Sequence, residues 1–149
     1  LYIWLPNKYF NYFDHMGLAL ATAFALFLIM YSLYKRRFSD RDLLLAATLS
    51  MYALPFLLPA MHERYFFPAG IASVVLLFVY PSLLNGVTVI LAQLITIFSY
   101  SPFLFQYAPI PFTYLSMAVL AIIAILLYQF LQAPITTRAT TGKPIRSKL

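Results

Sequence analysis

Five largely apolar runs, each 17 to 20 residues long, take up most of this 149-residue chain and leave it few ways to fold. They cover about 17–34, 43–60, 68–84, 87–105 and 112–131, and none contains Asp, Glu, Lys or Arg. Roughly 20 apolar residues in a helix cross the ~30 Å of hydrocarbon in a bilayer. A backbone in that medium must satisfy its own N–H and C=O groups, which a helix does within one segment. We therefore expect an all-α, polytopic transmembrane helical bundle of about five spans. Composition agrees: the chain is 63% hydrophobic and 9% charged, with a mean hydropathy of +0.85, against roughly 45–50% apolar and about 25% charged in soluble domains. The runs leave no room for a separate soluble domain.

Three regions follow. Residues 1–15 mix Tyr2, Trp4, Tyr9, Phe10, Tyr12 and Phe13 with Asn7, Lys8, Asn11, Asp14 and His15, a blend suited to the headgroup zone at the outer interface. Residues 16–132 form the transmembrane region. Residues 133–149 make a basic tail with little that can pack, expected to be disordered and drawn to anionic lipid. The start, Leu1-Tyr2-Ile3-Trp4, has neither an initiator Met nor a basic leader region, so the chain reads as part of a longer protein. Cysteine is absent, which excludes disulfides and thiolate chemistry. The net charge of +6 comes from basic residues that bracket apolar segments. Membrane lipids, not nucleic acid, are the expected partners.

Those basic residues set the orientation. Lys35, Arg36, Arg37 and Arg41 follow the first run, and Arg138, Lys143, Arg146 and Lys148 lie in the tail. Four spans, an even number, separate the two groups, so both fall on one side, and the positive-inside rule makes it the cytoplasm. Lys8 and Arg64 fall on the other. We thus expect an integral, multi-pass protein, in the inner membrane if bacterial, with residues 61–67 extracytoplasmic. Ser39, three residues before Asp42, is a candidate cap for the second span, although Asp stands where a capping box prefers Glu or Gln. Pro55 and Pro59 predict a kinked or broken outer end to that span, and Pro68 suits the first turn of the next. The uncharged Asn85-Gly86 is the expected turn between the third and fourth spans. Gln93, Thr96 and Ser99 recur every third residue on the fourth, where interhelical hydrogen bonding is the favoured use and a polar path the alternative. No inverted repeat is visible.

On the side expected to be extracytoplasmic, full charges sit directly between two long apolar runs in Met61-His62-Glu63-Arg64-Tyr65-Phe66-Phe67-Pro68. Ionisable groups held so close to hydrocarbon are costly and are functional candidates. Phe67 precedes proline and is biased away from helical backbone, which predicts a turn there. Such a turn brings Arg64 towards the start of the third helix, whose free N–H groups and dipole favour an anion. Arg64 adds a permanently charged planar fork matched to phosphate oxygens, and Gly70 presents no side chain to obstruct approach. A lipid-linked phosphate is the natural anion at a membrane surface. The competing reading makes Glu63 and Arg64 an interfacial ion pair and Tyr65, Phe66 and Phe67 an aromatic belt. A divalent metal held by His62, Glu63, Asp14 and His15 is a further alternative, without recognisable ligand spacing. Asp14-His15 has a plainer reading as a solvated entry to the first span.

The run Leu57-Leu58-Pro59-Ala60-Met61-His62-Glu63-Arg64-Tyr65-Phe66-Phe67-Pro68-Ala69 resembles a stretch, close to F-L-P-x-M-H-E-R-Y-F, of the multi-span GT-C glycosyltransferases. The resemblance is to bacterial proteins related to the second mannosyltransferase of GPI-anchor synthesis, where it lies at the outer end of a late span. It departs from them at Gly70, where members carry an Asp. It implies a GT-C-like C-terminal part that binds a polyprenyl-phosphate-linked sugar donor at the extracytoplasmic face. It further implies Arg64 on the carrier phosphate, His62 on phosphate or sugar hydroxyls, and Glu63 and Tyr65 in the same substrate-binding stretch. Glu63 holds Arg64 or a hydroxyl and is only a weak candidate for catalysis, since the family's base lies in a first outer loop upstream. Two other classes compete with this enzyme: a transporter or flippase for a lipid-linked or anionic solute, and a non-catalytic membrane subunit. The five charge-free spans argue against a pump.

Overall fold

The computed structural model describes residues 10–35, 39–58, 66–107 and 110–132. The outer segment before Phe10, Arg36, Arg37, Pro59, the stretch 61–65, Pro109 and the basic tail lie outside these residues. The chain is all-α: five helices, α1 (Phe10–Tyr34), α2 (Asp40–Leu57), α3 (Phe67–Val79), α4 (Leu83–Phe105) and α5 (Phe112–Gln132), with no strand among the described residues. By length and composition α1, α4 and α5 can each cross a membrane. The protein is accordingly consistent with an integral membrane protein.

Local sequence explains most of the helix ends. α1 starts seven residues before the expected span because nothing from Phe10 to Met16 breaks a helix. At α2 the capping box forms: the Asp42 N–H donates to Ser39 Oγ at 3.2 Å and the Ser39 N–H to Asp42 Oδ2 at 3.1 Å. Asp reaches back as Glu would, satisfying two otherwise orphaned donors. Pro55 lies within α2 and does not end it. The helix stops instead at Leu57, and Leu58 is extended at φ −70° and ψ 139°, the backbone favoured before a proline such as Pro59. Pro68 occupies the first turn of α3, as its missing N–H predicts.

Two expectations about this part of the chain are corrected. Phe67 is helical although it precedes Pro68, and Phe66 before it is also helical at φ −82° and ψ −10°. The Phe66 ring stacks on Tyr52 of α2, with centroids 6.3 Å apart, and that packing outweighs a modest backbone bias. The turn between α3 and α4 falls at Tyr80–Ser82, not at Asn85-Gly86. Pro81 lacks the N–H a continuing helix needs. Ser82 caps α4 by accepting from the Asn85 N–H at 3.2 Å, and the Asn85 side-chain amide donates to the Tyr80 carbonyl at 2.7 Å. Asn85 therefore closes the turn from within α4. α3 is left with 13 residues, about 20 Å of helix, short of a full crossing by itself.

The helices form a ring in which α2, α3, α4 and α5 each pack on two neighbours, and α1 packs on the outside of α2. Within the ring α2 and α4 are diagonal, so α1 and α4 lie on opposite sides of the molecule. Short connections make sequential neighbours antiparallel, and the ends of α1, α3 and α5 meet the starts of α2 and α4 at one end, called here the basic end after Lys35. Inward stripes follow helical spacing. α2 contributes Leu45, Leu49 and Tyr52, and α5 contributes Val119, Ile122, Leu126 and Phe130. α4 turns Asn85, Thr88, Ala92, Ile95 and Ser99 inward, spaced 3-4-3-4, and the outer faces are apolar. Small and polar groups inside with apolar groups outside is the pattern of helices packed in lipid, where burial of hydrocarbon gives no preference.

Candidate functional site

The stretch His62-Glu63-Arg64-Tyr65 singled out by the sequence lies outside the described residues, and so does the Asp14 side chain. His15 is exposed on α1. Among the described residues no group of three His, Asp or Glu side chains can hold a metal ion.

What the structure describes is the frame on either side of that stretch. Leu58 closes α2 through its N–H to the Leu54 carbonyl at 2.9 Å, and Phe66 opens α3 at the end of the bundle away from Lys35. The two anchors are tied by more than the Tyr52–Phe66 stacking. The Ser73 hydroxyl of α3 donates to the Ala69 carbonyl at 2.9 Å. With its only proton used, it accepts from the Tyr52 hydroxyl, 3.1 Å away. This buried bond between α2 and α3 fixes the two helices a turn or two below the stretch that joins them. No side chain caps the start of α3, so its first-turn N–H groups keep their capacity for an acceptor.

A groove of about 230 Å³ runs down from this end between α3 and α4. Phe67, Gly70, Ile71 and Val74 of α3 line it, with Gln93 and Thr96 of α4 opposite. Gly70 is buried there, and a methyl group added to it meets the Gln93 amide nitrogen at an ordinary 4.0 Å. The expected polar trio on α4 is split: Gln93 is exposed, Thr96 donates to the Ala92 carbonyl of its own helix, and Ser99 faces inward. None of the three makes an interhelical hydrogen bond among the described residues.

The other concentration of charge is at the basic end. Lys35, counted in the sequence as a cytoplasmic marker, is 5% exposed, and its Nζ lies 2.9 Å from Asp42 Oδ1, itself on a residue 3% exposed. Burial opposes ionisation of the Asp42 carboxyl. The Lys35 ammonium beside it, the Ser39 N–H and the Ser39 hydroxyl outweigh that penalty and hold it below the ordinary carboxylate value. Around this pair the Tyr31 ring packs on Phe130 at 5.0 Å and its hydroxyl donates to the Leu131 carbonyl at 3.4 Å. Sequence reasoning missed the pairing. The available signal was a Lys directly after one span and an Asp already suspected of capping the next.

No protein-family model matches the chain, and no curated protein or solved structure matches it either.

Proposed function

We propose that the chain is the carrier-binding C-terminal part of a GT-C-type membrane glycosyltransferase, mannosyltransferase-like, that uses a polyprenyl-phosphate-linked sugar donor at the extracytoplasmic face. The observation that carries this reading is the Leu57–Ala69 run, with its consecutive His62, Glu63 and Arg64, at the junction of α2 and α3. Two features are in keeping with it. The junction leads into a helix start with no side-chain cap, which suits an anion. It also lies at the opposite end of the bundle from Lys35, the end that charge counting makes extracytoplasmic.

In this reading Arg64 and the first-turn N–H groups of α3 stabilise the phosphate as it departs from the sugar, a preorganised electrostatic role. His62 and Tyr65 contact phosphate or sugar hydroxyls, and Glu63 orients Arg64. A base on another part of the protein activates the acceptor hydroxyl.

Transfer of labelled sugar from polyprenyl-phosphate donors, in membranes carrying the full-length protein, tests this against Arg64→Ala. A loss of about a hundredfold or more, the scale of removing one transition-state donor, is expected with membrane insertion unchanged. Normal transfer by Arg64→Ala overturns the site. Carrier binding without transfer by the wild type, across a broad donor panel, turns the reading to a flippase.

A further inference from the structure

Three neighbouring helices end at different heights on the side away from Lys35. At the basic end α2 starts, and α3 turns directly into α4. From there α2, with 18 residues, rises about 27 Å, α4, with 23, about 34 Å, and α3, with 13, only about 20 Å. Side-chain contacts give the same offsets. Phe66, just before α3, stacks on Tyr52, five residues short of the end of α2. Phe67 shares a groove with Thr96, nine residues short of the end of α4. The start of α3 is therefore sunk about 7 Å below the outer end of α2 and about 14 Å below that of α4. The apolar span of α4 closes at Pro102, six residues beyond Thr96, which puts the start of α3 about 9 Å inside the hydrocarbon.

A helix start at that depth presents N–H groups that lipid cannot satisfy. The first turn of α3 has neither a side-chain cap nor an acidic residue. Backbone of this kind is tolerated in a membrane where protein buries it or water reaches it. Two observations favour water. The connection from Leu58 to Phe66 contains His62, Glu63 and Arg64, and charges leave water only at high cost. The second observation is Ser99, on the inward stripe of α4, one turn beyond Thr96 and so above the start of α3. It is 5% exposed, and its hydroxyl is the one buried hydroxyl without a hydrogen-bond partner among the described residues. Thr48, Ser73 and Thr88, buried likewise, each donate to the carbonyl four residues back, the local bond open to a short side chain. Ser99 does not, and a buried polar group left unpaired in this way points to water or a ligand.

We propose that the start of α3 is the floor of a water-filled recess in the outer half of the membrane, with Ser99 in its wall, and that this recess holds a phosphate-type anion. The first-turn N–H groups and the positive end of the helix dipole attract the anion. Surrounding hydrocarbon screens that attraction less than bulk water does. The Ser99 hydroxyl adds a donor, and a phosphate has oxygens enough for both sets. The identity of the anion rests on the function proposed above, whereas the recess rests on helix heights and on Ser99.

Single cysteines report the recess directly, because the chain has none of its own. Tyr107→Cys, 68% exposed just after α4, identifies in native membrane vesicles of the full-length protein the face reached by a membrane-impermeant thiosulfonate. From that face Ser99→Cys and Pro68→Cys, the latter in the first turn of α3, are expected to react. Ile97→Cys, at nearly the same depth but 62% exposed on the outer side of α4, is expected to stay silent. Relative to their rates at Tyr107→Cys, an anionic reagent should exceed a cationic one at Ser99→Cys by about fivefold, the scale of a helix-dipole contribution. Inorganic phosphate protecting Ser99→Cys identifies an anion from water, and protection only by a lipid monophosphate in the bilayer identifies one from the membrane. These rates need no donor sugar and are read whether or not the protein transfers one. Silence of both Ser99→Cys and Pro68→Cys, or equal reaction of Ile97→Cys, overturns the recess. Equal relative rates for the two reagents with protection by neither phosphate overturns the anion.

Discussion

The Asp42 carboxylate belongs to two contacts, the capping box of α2 and the buried pair with Lys35. Breaking a buried pair from one side leaves an uncompensated charge, at about 3–5 kcal/mol. Asp42→Asn should therefore destabilise the protein by that order, and Lys35→Met added to it should recover most of the loss. Thermal unfolding in one detergent or lipid, across the wild type, the single variant and the double variant, gives the comparison. A double variant as unstable as Asp42→Asn would show that the cap, not the charge pair, carried the effect. The same carboxyl makes stability depend on pH. Its folded-state pKa is lowered, so its contribution is complete above the unfolded-state value of about 3.9 and is lost as pH falls through the lower folded value. Unfolding midpoints measured downwards from pH 6 should drop in the acid range for wild type and drop less for Asp42→Asn. Parallel curves would assign the acid sensitivity to other groups.

Among the elements, the α3/α4 hairpin shows how a short sequence fixes a turn. Pro81 forbids continuation, Ser82 caps α4, and the buried Asn85 amide holds the Tyr80 carbonyl. Ser82→Ala should cost about 1 kcal/mol, the usual worth of an N-cap. Asn85→Leu should cost more, ~1–3 kcal/mol, because it leaves that carbonyl unpaired. Ranking the two by denaturant or thermal midpoints checks the assignment, and equal losses would contradict it. At the other end of α4 the helix passes Pro102 and terminates at Gln106 in the left-handed region, φ 52°. The chain thereby ends α4 without the glycine that most often occupies such a position.

For the molecule as a whole, α1 is the loosest attachment. It packs chiefly on α2, with Tyr31 reaching across to Phe130 and Leu131 of α5. Phe130 is fully buried and belongs to the central core. Phe130→Ala should cost about 3–5 kcal/mol and should also release α1. Hydrogen exchange in lipid nanodiscs is expected to show faster exchange in the basic-end half of α1 than in α4 or α5. If α1 protection stays at the wild-type level, its docking rests on α2 alone.

Helix class, helix number and most helix ends follow from the sequence by itself, because they depend on local causes: apolar run length, proline, and caps such as Ser39 with Asp42. The run from Leu57 to Ala69 was also legible as the place to look for function, since charge between two apolar runs is conspicuous in one dimension. Residues 59–65 of it lie outside the described residues, and the flanks, Leu57-Leu58 and Phe66 to Ala69, belong to the described fold. What the tertiary structure decided is which way each helix faces. In a soluble protein, hydropathy reports facing. In lipid the outer surface is as apolar as the core, so the period of the apolar residues does not distinguish them. Every-third-residue spacing grouped Gln93, Thr96 and Ser99, whereas packing chose Asn85, Thr88, Ala92, Ile95 and Ser99. It also turned Gln93 outward and brought Lys35 onto Asp42. The facing of α4 depends on contacts with helices remote in the chain, which no local pattern encodes.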